Sequence, residues 1–227
     1  KVLGDLHNKQ KNHEDAAKAY IKYLEKNPRD QLIAQKVGYY NYKNKNYLDA
    51  VKYLEMVKDT SLTDAKHVSR LGLSYILHGD CEKGGKILAA LREAAPPASI
   101  LSEILKPLAS CYEKAGRKPE AQEIYENYSK LTGVKDADAA YIAAELKLET
   151  DTAAASKLYA KNTKLFPNDS RNFLKLGILY SKDKKSLSKA ATMLTRASKL
   201  IADNPFVWQM LGEVYGKLGK TSMELSS

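Results

Sequence analysis

Four histidines, two cysteines and a scatter of carboxylates are the side chains from which this chain could build a reactive centre. Their spacing builds none. His7, His13, His67 and His78 stand far apart, and no HExxH helix, Gly-rich phosphate loop or GxSxG elbow accompanies them. Cys81 and Cys111 are too few for a disulfide framework and lack metal-ligand spacing. Cys111 falls on the apolar side of its segment, where a thiol acts as a small hydrophobe, so no bridge between the two is expected. Glu120 and Glu123 form a carboxylate pair on a charged stretch and read as solvated. No catalytic residue, metal or cofactor is expected, and the chain is read as a non-enzyme.

Binding chemistry is better represented. The 37 Lys and Arg against 27 Asp and Glu give a net charge of +10. It is uneven: +4 over residues 1–60, −1 over 61–160 and +7 over 161–227. Such a field favours an anionic partner, although an ordinary Lys-rich solvated surface has the same balance. Apolar residues at 44% and charged residues at 28% exclude a disordered composition. The apolar stretches are short and interrupted by Lys, Glu or Ser, so no membrane span is expected.

These side chains must be positioned by something, and an internal repeat supplies it. Gly4, Gly38, Gly72, Ala109, Ala143, Gly177 and Gly212 are separated by 34, 34, 37, 34, 34 and 35 residues. An aliphatic precedes each of these anchors: Leu3, Val37, Leu71, Leu108, Ile142, Leu176 and Leu211. A second small residue follows twelve positions later (Ala16, Ala50, Gly84, Ala121, Ala155), and a larger one sixteen later (Tyr20, Leu54, Leu88, Tyr125, Tyr159). Ala190 and Leu194 continue both series displaced by one. Pro28, Pro96, Pro167 and Pro205 close units, and Asn44-Lys45-Asn46, His78-Gly79-Asp80, Lys114-Ala115-Gly116 and Leu218-Gly219-Lys220 mark turns inside them. Small residues let two antiparallel helices approach closely while the larger ones fill the space beside them. One hairpin cannot bury its own apolar face, so each must stack on the next. No sheet is expected.

The segment Trp208-Gln209-Met210-Leu211-Gly212-Glu213-Val214-Tyr215 with Gly219 resembles the first helix of a tetratricopeptide repeat. The plus-twelve, plus-sixteen and proline positions resemble its second helix, over nearly the whole chain. The resemblance implies an all-α, right-handed solenoid of stacked antiparallel helix pairs. We read one array over 1–227, with six repeats and a terminal helix followed by the stub Thr221–Ser227. Tyr20, Tyr75, Tyr112, Tyr125, Tyr159, Tyr180 and Tyr215 then fall at packing positions.

Three departures carry expectations of their own. Asn41 and Leu146 replace an aromatic and should loosen their hairpins. The sixth repeat carries about four extra residues, so its second helix should run longer. At 94–107 a Pro96-Pro97 pair, extra residues and Pro107 inside a first helix predict a kink, since an interior proline costs about 3 kcal/mol or more.

In tetratricopeptide stacks the first helices line a concave groove. Chaperone-binding members hold a C-terminal carboxylate there with Lys, Asn, Asn, Lys and Arg. The resemblance carries these places onto Lys1, Asp5, Lys36, Lys66 and Arg70, and again onto Lys106, Ser110, Tyr141, Arg171 and Lys175. The cation places are filled both times and the asparagine places are not. Tyr39, Tyr42 and Tyr141 also fall on the groove side. The candidate binding residues are therefore Lys1, Lys36, Tyr39, Lys66, Arg70, Lys106, Tyr141, Arg171 and Lys175. The expected partner is an extended, acidic peptide segment or C-terminus.

A nucleic-acid binder is the rival reading: the groove residues vary between repeats and spell no base-reading code, which leaves nonspecific phosphate contact, marked by a steep salt dependence. A regulatory arm of a larger multidomain protein is another. The chain starts at Lys1 without Met and reads as a piece of something longer. Compartment stays open, with the cytoplasm favoured, and no feature encodes an oligomeric state.

Overall fold

The computed structural model describes residues 1–131 and 135–219. Lys220 and the stub Thr221–Ser227 lie outside the described residues. Every regular element among those described is helical. First and second helices alternate: α1 (Val2–Lys9) and α2 (His13–Lys26), α3 (Gln31–Lys43) and α4 (Tyr47–Leu54), α5 (Ala65–His78) and α6 (Cys81–Glu93), α7 (Ala98–Lys114) and α8 (Lys118–Lys130). Then follow α9 (Ala137–Leu148) and α10 (Thr152–Leu165), α11 (Ser170–Tyr180) and α12 (Leu187–Leu200), and α13 (Pro205–Lys217).

The starts are set by short polar side chains. Asn12, Asp30, Asp64, Asp80, Asp136, Asp151, Asp169 and Asn204 each accept a hydrogen bond from a backbone N–H of the turn they open. Each such cap contributes about 1 kcal/mol. The ends of α1, α3, α5, α7 and α13 share a device as well. Lys11, Lys45, Gly79, Gly116 and Gly219 all have positive φ, and each stands seven residues after its anchor. A left-handed residue there ends the first helix and turns the chain away from its axis, at no steric cost where it is glycine.

The anchors behave as the spacing requires. A Cβ built on Gly4 would lie 2.4 Å from the Tyr20 ring, on Gly38 2.6 Å from Leu54, on Gly72 2.4 Å from Leu88 and on Gly177 2.7 Å from Leu194. Ala16, Ala50, Ala121 and Ala155, the second small residues, are all buried. Tyr20, Tyr75, Tyr125 and Tyr159 are buried; Tyr112, Tyr180 and Tyr215 are half-buried.

Two compact units divide the chain, Lys1–Ile124 and Tyr125 onward, with the boundary inside α8. In the first, second helices seal against the next first helix: Ala16, Tyr20 and Leu24 of α2 pack with Ile33, Ala34 and Val37 of α3. The first helices α3 and α5, and α5 and α7, also lie side by side. In the second unit, Leu187, Ala190 and Leu194 of α12 close on Leu211 and Val214 of α13.

Several expectations meet a different outcome or a finer one. Cys81 and Cys111 are joined, with Cα atoms 5.5 Å apart, because the seam between α6 and α7 brings the first residue of one against the buried face of the other. The sixth hairpin's second helix, α12, is no longer than α2 or α10, at 14 residues each. Its extra residues form a 3-10 turn, Lys184–Ser186, held by Asp183, which accepts from the Lys185 N–H and the Ser186 hydroxyl. Asn41 is buried, and its amide donates to the Val37 carbonyl (2.9 Å) while its Oδ1 accepts from Asn46 (3.3 Å), so it fastens its hairpin's turn. At 94–107, Ala95 adopts φ 48° before Pro96-Pro97, and α7 then runs 17 residues continuously through Pro107.

Candidate functional site

Groove position minus two, relative to the anchor, carries Lys36 in α3, Arg70 in α5 and Lys175 in α11. What each finds on the preceding first helix differs. Lys36 Nζ lies 3.2 Å from Asp5 Oδ1 and 5.2 Å from the Tyr20 ring centroid. Lys175 Nζ lies 2.8 Å from Glu145 Oε2, whose other oxygen accepts a short hydrogen bond from the Tyr159 hydroxyl. Arg70 finds Tyr39 where a carboxylate would be, its guanidinium carbon 4.0 Å from the ring centroid. Among the described residues Arg70 has no salt-bridge partner.

Electrostatics follow these pairings. The Tyr20 hydroxyl (2.7 Å) and Lys36 hold the Asp5 carboxyl below its ordinary range. Burial, together with Asp5, pushes Tyr20 up to about 12. Lys1 is bound to Asp30 at 3.1 Å and raised by it. Burial opposes ionisation of Asp30, yet Lys1, the Ile33 N–H and the Tyr23 hydroxyl bring it below the usual value. Asp5, at a place where it would repel a bound carboxylate, is thus already neutralised by Lys36.

Arg171 in the second unit is held still more firmly. It donates from Nε and Nη2 to the two oxygens of Asp169 (2.9 and 2.7 Å), while Nη2 is 2.8 Å from Asp138. Asp169 and Asp138 raise it above an ordinary guanidinium. Its carbon lies 4.8 Å from the Tyr141 ring, and that ring is 6.1 Å from Tyr159. Burial works against the Lys175 ammonium, but Glu145 keeps it raised.

The nine candidates therefore separate. Lys1, Lys36, Arg171 and Lys175 carry their own carboxylates, Tyr141 lies under Arg171, and Lys106 on α7 is engaged within the fold as well. Tyr39, Arg70 and Lys66 remain. Lys66 stands one turn before Arg70 on α5 and is exposed. Beside them a recess of about 720 Å³ is lined by Tyr20, Lys36, Tyr39, Tyr42, Lys43 and Arg70. Burial raises both Tyr39 and Tyr42, with Arg70 acting in the opposite direction on each and Glu103 adding to the rise of Tyr42. The recess thus offers a stacked guanidinium, two tyrosyl hydroxyls and flanking lysines: donors for an anionic or carbonyl-rich ligand.

Sequence reasoning missed the acids that neutralise the groove cations: Asp30, Asp138, Glu145 and Asp169. A signal for most of them exists. Lys1–Asp30, Lys36–Asp5, Lys175–Glu145 and Arg171–Asp138 join residues 29 to 33 positions apart, close to one repeat.

No helix among the described residues is long and apolar enough to cross a membrane. No family model matches the chain, and no curated protein does. Solved structures do. YrrB, described as a TPR protein with an unusual peptide-binding site, superposes with a TM-score of 0.63 at 16% identity, over 85% of this chain and 97% of its own. The C-terminal part of a TPR repeat-containing protein from Cytophaga hutchinsonii gives 0.65 at 15% identity, over 96% and 86%. MamA from AMB-1 gives 0.63 at 16%, over 77% and 93%. The chain has the tetratricopeptide-repeat fold.

Proposed function

We propose that the chain is a non-catalytic protein-interaction scaffold. It holds an extended acidic segment of a partner against the first helices of its N-terminal unit, and Arg70 makes the principal anion contact. The observation carrying this reading is the guanidinium laid on Tyr39 with no carboxylate of its own among the described residues. At the equivalent place Lys36 and Lys175 are neutralised, and a peptide carboxylate there would have to displace Asp5 or Glu145. The ring fixes Arg70 through a cation–π contact while leaving its N–H edges for bidentate bonding to a carboxylate. Lys66 adds a second charge on the same helix face. Support also comes from a structure of the same fold that is described as peptide-binding.

Each exposed contact is worth on the order of 0.2–1 kcal/mol, because water and salt screen it. The test uses a labelled library of Asp- and Glu-rich peptides and fluorescence anisotropy. Replacing Lys66 and Arg70 together by Ala should weaken the best peptide roughly 3- to 30-fold and leave the helical circular dichroism unchanged. Arg70→Lys should recover only part of the loss, since an ammonium cannot bond bidentately. Replacing Lys18 and Lys22 on α2 should do little. Equal losses from both pairs would mean that only net charge is read. No loss from either would remove the site from this groove.

A further inference from the structure

Cys81 and Cys111 are the only cysteines in the chain, and the fold sets them against each other across the seam between α6 and α7. They are not equivalent. Cys81 is the first residue of α6 and half-exposed, at the rim of a recess of about 850 Å³ lined also by His78, Lys86, Tyr112 and Arg117. Cys111 is 2% exposed on the buried face of α7. Cys81 is the more exposed of the two and stands at a helix N-terminus, whose dipole favours a thiolate; Cys111 borders the same recess but is almost wholly covered. Asp80 and Glu82 oppose that effect, but the Lys83 ammonium lies 4.0 Å from Asp80 and Glu82 is paired with Lys86 at 2.8 Å.

The surroundings suit both redox states. Cys111 Sγ lies 3.2 Å from the Cys81 carbonyl oxygen. In the dithiol form the Cys111 S–H has that acceptor ready, so opening the bridge leaves no buried donor unpaired. At the seam between α12 and α13 in the second unit, Leu187 and Val214 stand at the corresponding places and belong to one apolar cluster. Sulfur takes that role only where the connection is irregular, through Ala95 and Pro96-Pro97.

We propose that Cys81 and Cys111 form a reversible thiol–disulfide switch that tightens the seam between the third and fourth hairpins when oxidised. Cys81 is the entry point. Its thiolate attacks a low-molecular-weight disulfide, forming a mixed disulfide and expelling one small thiolate. Cys111, once deprotonated, attacks Cys81 Sγ and expels the second. Two protein thiols are oxidised, and one small disulfide is reduced to two thiols.

The experiment equilibrates the whole protein in glutathione buffers of stepped ratio, traps free thiols with iodoacetamide and reads the mass. Melting and hydrogen exchange follow on the fully oxidised and fully reduced forms. Expected are both thiols lost together, a bridge that reopens in millimolar reduced glutathione, and an oxidised form melting about 5–10 °C higher, as closing a loop of this length should give. Exchange over 98–114 should quicken on reduction. Cys81→Ser should melt alike with and without reductant, which separates the bridge from any other effect of the reductant. A bridge that never forms, one that survives millimolar reduced glutathione, or oxidised and reduced forms of equal stability would each overturn the switch.

Discussion

Five residues before the anchor, Ile33, Ile104 and Val207 are fully buried, and His67 takes the same place in α5 at 1% exposure. Burial lowers the His67 imidazole below its ordinary value; Asp64 pulls it up and Arg70 pushes it down. Its Nδ1 lies 3.5 Å from Gln35 Nε2, and its ring 6.1 Å from Tyr39. The folded state thus holds a neutral imidazole that the unfolded chain protonates more readily. Stability is full above the unfolded value of about 6.5 and is lost as pH falls from there toward the lower folded value. Urea midpoints taken from pH 8 to pH 5 should decline in that window, well above the range where the lowered carboxylates Asp5 and Asp30 act. His67→Ile, copying Ile33, should flatten the decline; an unchanged slope would assign it to other groups. None of this was legible beforehand, because the repeat register marks a position as buried without saying how a polar occupant is satisfied. The groove cations were legible as positions for the same reason, but their counter-ions lie a repeat away and had to be seen in three dimensions.

At the level of elements, most of the fold could be read in advance. The seven anchors, the small residues twelve later and the large ones sixteen later all describe a distance between two helices, and sequence periodicity reports distances of that kind directly. Where an insertion goes is a different question. The extra residues of the sixth hairpin went to a 3-10 turn because Asp183 could cap it, and periodicity is blind to such a local competition. Likewise Gly79 and Gly116 announce a left-handed turn, while Lys11 and Lys45 occupy the same place unannounced. Adjacent glycines in α6 test the close approach. A Cβ on Gly84 would lie 2.6 Å from the Gly72 carbonyl oxygen and 2.9 Å from the Ile76 nitrogen, both backbone atoms that can yield only if α5 and α6 separate. On Gly85 the nearest atom would be in Tyr112 at 3.6 Å, an ordinary contact. Gly84→Ala should therefore destabilise by about 1–3 kcal/mol or more, and Gly85→Ala should stabilise by up to about 1 kcal/mol through helix propensity. Chemical denaturation of the two variants decides, and equal effects of the same sign would refute the close packing.

For the molecule as a whole, the sign of the charge was plain from composition and its use was not. Lys182, Lys184, Lys185, Lys189, Arg196 and Lys199 are all exposed, and none forms a salt bridge among the described residues. Asp183, the acid among them, caps the turn that follows it. This stretch of the second unit should attract any polyanion without discrimination, whereas Arg70 in the first unit is a single oriented donor. The two modes respond differently to salt. Contacts of the first kind release counterions, so affinity for a single-stranded oligonucleotide should fall with a log–log slope no steeper than about −4 for six cations. Peptide binding through Arg70 and Lys66 engages two charges and should decline far less. Anisotropy titrations from 50 to 300 mM salt, with the whole chain and with the Lys66→Ala, Arg70→Ala double variant, separate them. The variant should lose peptide affinity and keep its oligonucleotide curve. Loss of both in step would place the two ligands in one groove and make nucleic acid a genuine competitor for it; loss of neither would leave the groove cations to solvation alone.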